Sequence, residues 1–417
     1  MNSSILPEIV EQHADDAAFL WRQRDVAVRS PVYDLRSLCQ LDDRLQANLD
    51  GLSLAGEAGW RLCAEDPFVS MSLAVRRVDL GAMADIVASS TESRGKARAV
   101  VAALGFASVD NVVRTLRALF ADDCPAEYRV FGIAGAAAHR RDPGPVLAEA
   151  AHAADLRLRA RALRTVGELG RVDLVPVLLR EMGSSAEACQ FWAAWSAGLL
   201  GEPTAGEVLW RIANAGAPLE ATLPERACDL AARRADPRSS LWRLRALTGV
   251  PGRQRVALVG AAALGDPALL PWVIDCMTRP EDARLAGWVL AEVTGVDLRA
   301  QRLAGTPPSS FHAAPTDHPD DEHVAVDPDE HLPCPDEVAV RRWWAQQGPQ
   351  FPVGTRFLRG RPMDIPWLEH VLRNECQPTR AAAALELRLR QPGRPLLDVR
   401  APARRQMRAL ATSTPAT

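Results

Sequence analysis

Apolar positions along the middle of the chain recur at helical spacing. Ala188, Trp192, Trp195 and Leu199 stand at i, i+4, i+7 and i+11, and Leu158, Ala162, Val166 and Leu169 at i, i+4, i+8 and i+11. Each set draws one apolar stripe down an amphipathic helix. The stripes come in pairs: a short apolar segment such as LVPVLLREM, a polar turn, then an Ala-rich segment such as CQFWAAWSAGLLG. The pair recurs behind regularly placed markers, Asp79, Asp110, Asp142, Asp173, Thr204, Asp236, Asp266 and Asp297, which step by 30 to 32 residues. Two helices fit in that step, whereas a strand and crossover do not suit so Ala-rich a composition. Gly170, Gly201, Gly265 and Gly295 close second helices, where a left-handed cap is cheapest without a Cβ. The marker side chains are then placed to accept from free N–H groups at the next helix start, a capping role rather than a metal or acid–base one.

One helix pair cannot bury its own stripe, so the pairs must stack. The expected fold is all-α: an α-solenoid of short helix pairs of about 31 residues in a right-handed superhelical array with a concave face. That step is shorter than a full HEAT or armadillo unit of roughly 40–47 residues, and the ankyrin TPLHxA and tetratricopeptide patterns are missing. The Pro-containing first helices, Val175-Pro176-Val177, Leu270-Pro271-Trp272 and Ile365-Pro366-Trp367, resemble those of HEAT-like repeats.

Four regions follow. Residues 1–66 read as an N-terminal helical cap with twelve acidic and six basic side chains, and residues 67–300 hold the array. Residues 301–337 are Pro-rich with nine carboxylates, an acidic linker expected to be disordered. Residues 338–417 return to helix, with a further HEAT-like unit near 365–390.

Composition narrows the function. A chain of 417 residues, 47% hydrophobic and 24% charged, has ample apolar surface to bury. Its net charge of -3 supplies no global attraction to nucleic acid or an anionic membrane. No apolar run approaches a membrane span, and the opening MNSSILPEIVEQHADD lacks a signal-peptide pattern, so a soluble, cytoplasmic protein is expected. The eight cysteines are scattered without a CxxC pair and read as small buried hydrophobes. Lys96 is the one lysine among 49 basic residues.

The ends of the chain carry a more specific signal. HADDAAFLWRQRD, LDDRLQANLDGLSLAGEAGW, RRWW, VGTRFLRG and QPTRAAAALELRLRQPG resemble a bacterial family of HEAT-like repeat proteins of unassigned biochemistry, several encoded beside type VI secretion genes. The resemblance implies a cytoplasmic accessory, adaptor or chaperone for a secreted effector or another secretion component. It brings no catalytic residue.

No GxSxG, HExxH, P-loop or dinucleotide fingerprint stands in a suitable context, so the chain reads as non-catalytic and without cofactor. A metal-dependent enzyme would have to use His312, His318, His323, His331 and Cys334 of the linker, whose spacing is irregular. A nucleic-acid-backbone-binding role needs a continuous basic stripe, and the interleaved carboxylates oppose one. A protein-binding scaffold fits best. Arg226, Arg233, Arg234, Arg238, Arg243, Arg245, Arg253 and Arg255 face only two carboxylates between residues 226 and 255, and with Trp192, Trp195 and Trp288 they are the candidate partner contacts. Of the tryptophans, Trp192, Trp195, Trp210, Trp242, Trp272 and Trp288 are expected to be mostly core. The acidic linker is complementary to such a face and is expected to fold back on it, competing with an anionic partner.

Overall fold

The computed structural model describes residues 6–63, 65–91, 93–121, 124–215, 222–306, 327–391 and 394–412. Among them are 22 α-helices and a single two-stranded sheet. The chain folds as an all-α solenoid of helix pairs, divided into two compact units. Unit 1 takes the described residues of Met1–Leu200, Arg373–Ala384 and Gln391–Thr417; unit 2 takes those of Gly201–Leu372 and Leu385–Arg390.

Unit 1 begins with α1 (Pro7–Ala27), α2 (Leu35–Leu54), α3 (Glu57–Leu62) and α4 (Pro67–Arg77). A capping box starts α2: Asp34 accepts from the Ser37 N–H at 2.7 Å, and the Ser37 hydroxyl accepts from the Asp34 N–H at 2.9 Å. Its buried stripe is Leu38, Leu41, Leu45, Leu49 and Leu52, and Trp21 of α1 stacks on Phe68 of α4 at 4.2 Å. Four repeat pairs follow: α5 (Leu80–Ser90) with α6 (Arg94–Phe106), α7 (Val109–Leu119) with α8 (Ala126–Ala138), α9 (Pro145–Ala150) with α10 (Leu156–Leu169), and α11 (Val175–Glu181) with α12 (Glu187–Leu199). The helices of a pair pack together, and the second helices pack in series, α6 on α8, α8 on α10, α10 on α12. Small side chains permit that closeness. A Cβ on Gly167 of α10 would stand 2.7 Å from the Ser196 Cα of α12, whose hydroxyl donates to the Leu163 carbonyl at 2.7 Å.

Unit 2 continues the pattern with α13 (Ala205–Ala213) and α14 (Leu223–Arg234), α15 (Pro237–Thr248) and α16 (Gln254–Leu264), and α17 (Leu270–Cys276) and α18 (Pro280–Thr294). Again the second helices pack in series, α14 on α16 and α16 on α18. Next come α19 (Glu337–Gln347), packed on α17, and an antiparallel hairpin of β1 (Phe357–Leu358) and β2 (Arg361–Pro362). The hairpin satisfies carbonyls at helix ends that would otherwise lack donors. The Phe357 N–H donates to the Gly265 carbonyl at 2.8 Å, and the Arg359 and Gly360 N–H groups donate to Glu292 and Val293 at 2.5 and 3.1 Å. Positive φ at Arg359 and Gly360 makes the tight hairpin turn possible. Farther along the chain lie α20 (Ile365–Asn374) and α21 (Gln377–Arg390), each divided between the two units, and α22 (Ala403–Thr412) of unit 1.

The four expected glycines have φ of 69 to 97°, the left-handed closure expected for them. The markers divide. Asp79, Asp236 and Asp266 cap by accepting from N–H groups at 3.1, 3.0 and 2.9 Å. Ser108 caps α7 in place of Asp110, Asp173 pairs with Arg171 at 2.6 Å instead of capping, and Thr204 makes no side-chain cap.

Two expected regions come out differently. The linker narrows, because residues 301–306 and 327–337 are built into unit 2: the Asp336 N–H donates to the Leu303 carbonyl at 2.7 Å, and that of Gly305 to Cys334 at 2.8 Å. Residues 307–326 lie outside the described set. Nor is 338–417 one segment, since 338–372 and 385–390 belong to unit 2 and the remainder to unit 1. In unit 1 the reason is a polar knot: Arg380, fully buried, donates to Gln377 and, at 2.6 Å, to Gln406, while both glutamine amides donate to the Val399 carbonyl at 3.0 and 2.9 Å.

Candidate functional site

Most of the arginines singled out between residues 226 and 255 serve unit 2 itself. Arg233 is buried between Asp229 at 2.8 Å and Glu386 at 3.1 Å. Arg234 donates to the Glu202 carbonyl at 2.6 Å, and Arg253 to that of Ala215. Arg255 lies between Glu225 at 3.0 Å and Asp329 at 2.6 Å, and Arg226 is half-buried on α14. Two carboxylates from the described end of the linker pair with arginines of unit 2, Asp329 with Arg255 and Asp327 with Arg284.

What remains accessible is one ridge. Arg238, Trp242 and Arg245 stand at i, i+4 and i+7 of α15, all exposed, with Trp242 70% accessible. Among tryptophans expected to be mostly core, Trp242 is on the surface, because α15 turns Ser240, Leu244 and Leu247 inward and leaves it on the outer face. Beside it runs a shallow groove of about 170 Å³ lined by Trp210, Ala213, Trp242, Arg243 and Ala246. Arg243 spans it, paired with Glu207 at 2.5 Å and 5.7 Å above the Trp210 ring. Trp210 Nε1 is buried without a hydrogen-bond partner. Trp192 and Trp195 are instead buried core, with ring centroids 5.4 Å apart and the Arg164 guanidinium 4.6 Å above Trp192, so neither offers a free face. Trp288 is half-buried on α18.

A second concavity lies wholly within unit 1. Residues of α1, α6, α8, α10 and the segment before α22 enclose about 400 Å³ lined by nine arginines and three carboxylates. The strap that closes it is pinned: Asp42 accepts from Arg24 Nε at 2.5 Å and from the Ala403 N–H at 2.7 Å, capping α22 from outside, and Arg24 Nη2 donates to the Arg400 carbonyl at 3.1 Å. Glu168 is clamped by Arg161 at 2.6 Å and Arg164 at 2.8 Å. Burial alone would raise the Glu168 carboxyl; the two guanidinia outweigh it and hold the group well below the usual range.

The buried thiols are pushed up by desolvation, Cys63 to about 12 and Cys276 to about 11, which keeps them as unreactive thiols. Among the described residues no group of three or more His, Cys, Asp or Glu side chains stands where it could hold a metal. Of the linker histidines weighed as ligands, His312, His318 and His323 lie outside the described residues, and His331 is exposed.

Comparison with known families gives one match. Residues 144–222 match HEAT repeats. No curated protein and no solved structure matches the chain. The matched stretch runs from the start of α9 through α13, so it covers the helix pairs that bracket Trp192 and the groove residue Trp210. HEAT repeats commonly act as protein-interaction scaffolds. No described helix is long and apolar enough to cross a membrane.

Sequence patterning missed the pocket of unit 1 because its arginines come from separate stretches, 157–164 and 400–405 among them, and meet only through the fold. A signal was present nonetheless: Arg157, Arg161, Arg164 and Glu168 share one face of α10 opposite its Leu158–Ala162–Val166 stripe.

Proposed function

We propose that the chain is a non-catalytic protein-binding scaffold that takes an acidic segment of a protein partner on the α15 ridge of unit 2. The observation that carries this reading is Trp242, a large aromatic ring left on the surface between two exposed arginines and beside a groove. Aromatic and arginine side chains dominate binding energy at protein interfaces. Arg238 and Arg245 favour a carboxylate-bearing partner.

The context implied by the end segments extends the proposal: a cytoplasmic adaptor or chaperone in a bacterial cell, with a type VI secretion component or effector as partner. A photo-crosslinking residue in place of Trp242 tests the binding role in cells of the source organism. A covalent adduct with a second polypeptide is expected at position 242 and not at buried position 192. Adducts at neither position, or equally at both, would refute the reading. A gel shift with duplex DNA should stay flat at low salt; a salt-dependent shift would favour a nucleic-acid backbone instead.

A further inference from the structure

The concavity of unit 1 has the size of a small-molecule pocket, about 400 Å³. Its lining is mixed: Trp21, Val28, Val101, Phe106 and Phe131 contribute apolar surface, and guanidinia from α1, α6, α10 and the strap contribute positive charge, Arg24 lying 5.3 Å over the Phe106 ring. Nine arginines against three carboxylates leave an excess of six positive charges, reduced to five because Asp42, outside the pocket, neutralises Arg24. The lining carboxylates are already engaged, Asp25 by Arg98 at 2.7 Å and Arg29 at 3.2 Å, Glu168 by Arg161 and Arg164, and Asp398 by the Arg400 backbone N–H at 3.0 Å.

Several donors are left over. Arg161 Nε is buried with no partner. Arg157 spends one N–H on the Thr91 carbonyl at 2.8 Å and is otherwise exposed. Arg400 is fixed through its backbone, N–H on Asp398 and carbonyl on Arg24, while its exposed side chain makes no hydrogen bond among the described residues. The backbone is held at both ends, and the guanidinium is left available to an anion. Arg161 and Arg405 are pushed down to about 10, chiefly by burial. Guanidinia keep their protons at neutral pH, so these shifts register charge that a bound anion would relieve.

We propose that this pocket binds a small organic phosphate, its phosphate groups held by Arg157, Arg161 and Arg400 and its apolar body lying on Val28, Val101 and Phe106. A carboxylate brings one charge and two acceptor atoms, whereas a phosphate brings up to about two charges and three acceptor oxygens, matched to a surplus of this size and to the bidentate fork of arginine. The site is separate from the α15 ridge and does not depend on the scaffold reading.

Titration calorimetry on the full chain in chloride buffer tests the assignment, with ATP, sodium pyrophosphate, citrate and adenosine as probes. One saturable site for ATP is expected, tighter than pyrophosphate because of the apolar surface, with citrate at least about tenfold weaker and adenosine silent. Arg400→Glu should weaken ATP by about tenfold or more, and Arg157→Glu should do likewise, while Arg211→Glu on α13 of unit 2 leaves it unchanged. Both substituted side chains are exposed, so either variant keeps the test alive if the other fails to fold. No saturable ATP binding, citrate binding as tightly as ATP, pyrophosphate matching ATP, or wild-type affinity in both variants would each overturn the proposal.

Discussion

Asp329 holds Arg255 through both carboxylate oxygens, at 2.6 Å from Nη1 and 3.0 Å from Nη2. Glu225 takes Nε of the same guanidinium at 3.0 Å, so one cation sits between two carboxylates. Burial pushes the Glu225 carboxyl up, Arg255 pulls it back, and Asp329 adds to the upward shift. Arg255→Gln would leave two like charges facing each other with Asp329 buried. The expected cost is about 1–3 kcal/mol, below the value for a fully buried pair because Arg255 is partly solvated. A urea midpoint shifted by that amount checks it; an unchanged midpoint would mean the linker end is not anchored there.

Glu386 plays a similar part more deeply inside unit 2. Its carboxylate is fully buried and accepts from Arg356 at 2.5 Å, Arg233 at 3.1 Å and Arg390. Burial alone would raise it, and the three guanidinia together hold it below its ordinary value. Glu386→Gln strips them of their shared counter-charge and should cost about 3–5 kcal/mol. A lowered folded value places the stabilisation above the unfolded carboxyl range, near pH 4.3, and removes it as pH falls through the folded value. Thermal midpoints at pH 7 and pH 3 should therefore show a smaller gap between wild type and variant at the lower pH.

His139 makes unit 1 sensitive to a milder acid range. Its Nε2 lies 2.8 Å from the Leu104 carbonyl, which can only accept, so Nε2 carries the proton and Nδ1 accepts from Arg405 at 3.0 Å. Burial and then the Arg405 charge lower it to about 4. The unfolded chain takes up that proton near pH 6.5, well before the folded one, so stability declines as pH drops from about 6.5 to 4, by up to about 3 kcal/mol. Denaturant titrations across that window should show the decline in wild type and a flatter profile in His139→Gln.

The close approach of successive second helices gives a direct packing test. Gly167→Ala puts a Cβ 2.5 Å from the Ser196 hydroxyl and 2.7 Å from its Cα, so α10 and α12 must separate. A loss of about 1–3 kcal/mol is expected from overpacking. Wild-type stability in that variant would show that the two helices are not in contact.

The repeat was legible because helix pairing leaves a strong periodic trace: the Leu158–Ala162–Val166 stripe, the left-handed glycines and the marker spacing all survive in the fold. The arginine face was only half legible. Sequence counts charge but not direction, and Arg233 and Arg255 turn inward to buried carboxylates while Arg238 and Arg245 stay outside. Trp192 and Trp242 show the same limit, since the one is buried in α12 and the other stands on the outer face of α15. The pocket of unit 1 depends on residues more than two hundred positions apart, and no local pattern foretells that meeting.

The scaffold account turns on Trp242. With the polypeptide trapped at position 242 purified, its affinity for wild type and for Trp242→Ala should be compared by titration. Since Trp242 is 70% exposed, the substitution should leave the fold intact. The account predicts a loss of at least about tenfold, the scale of an interface hot spot; equal affinity in the two proteins would contradict it.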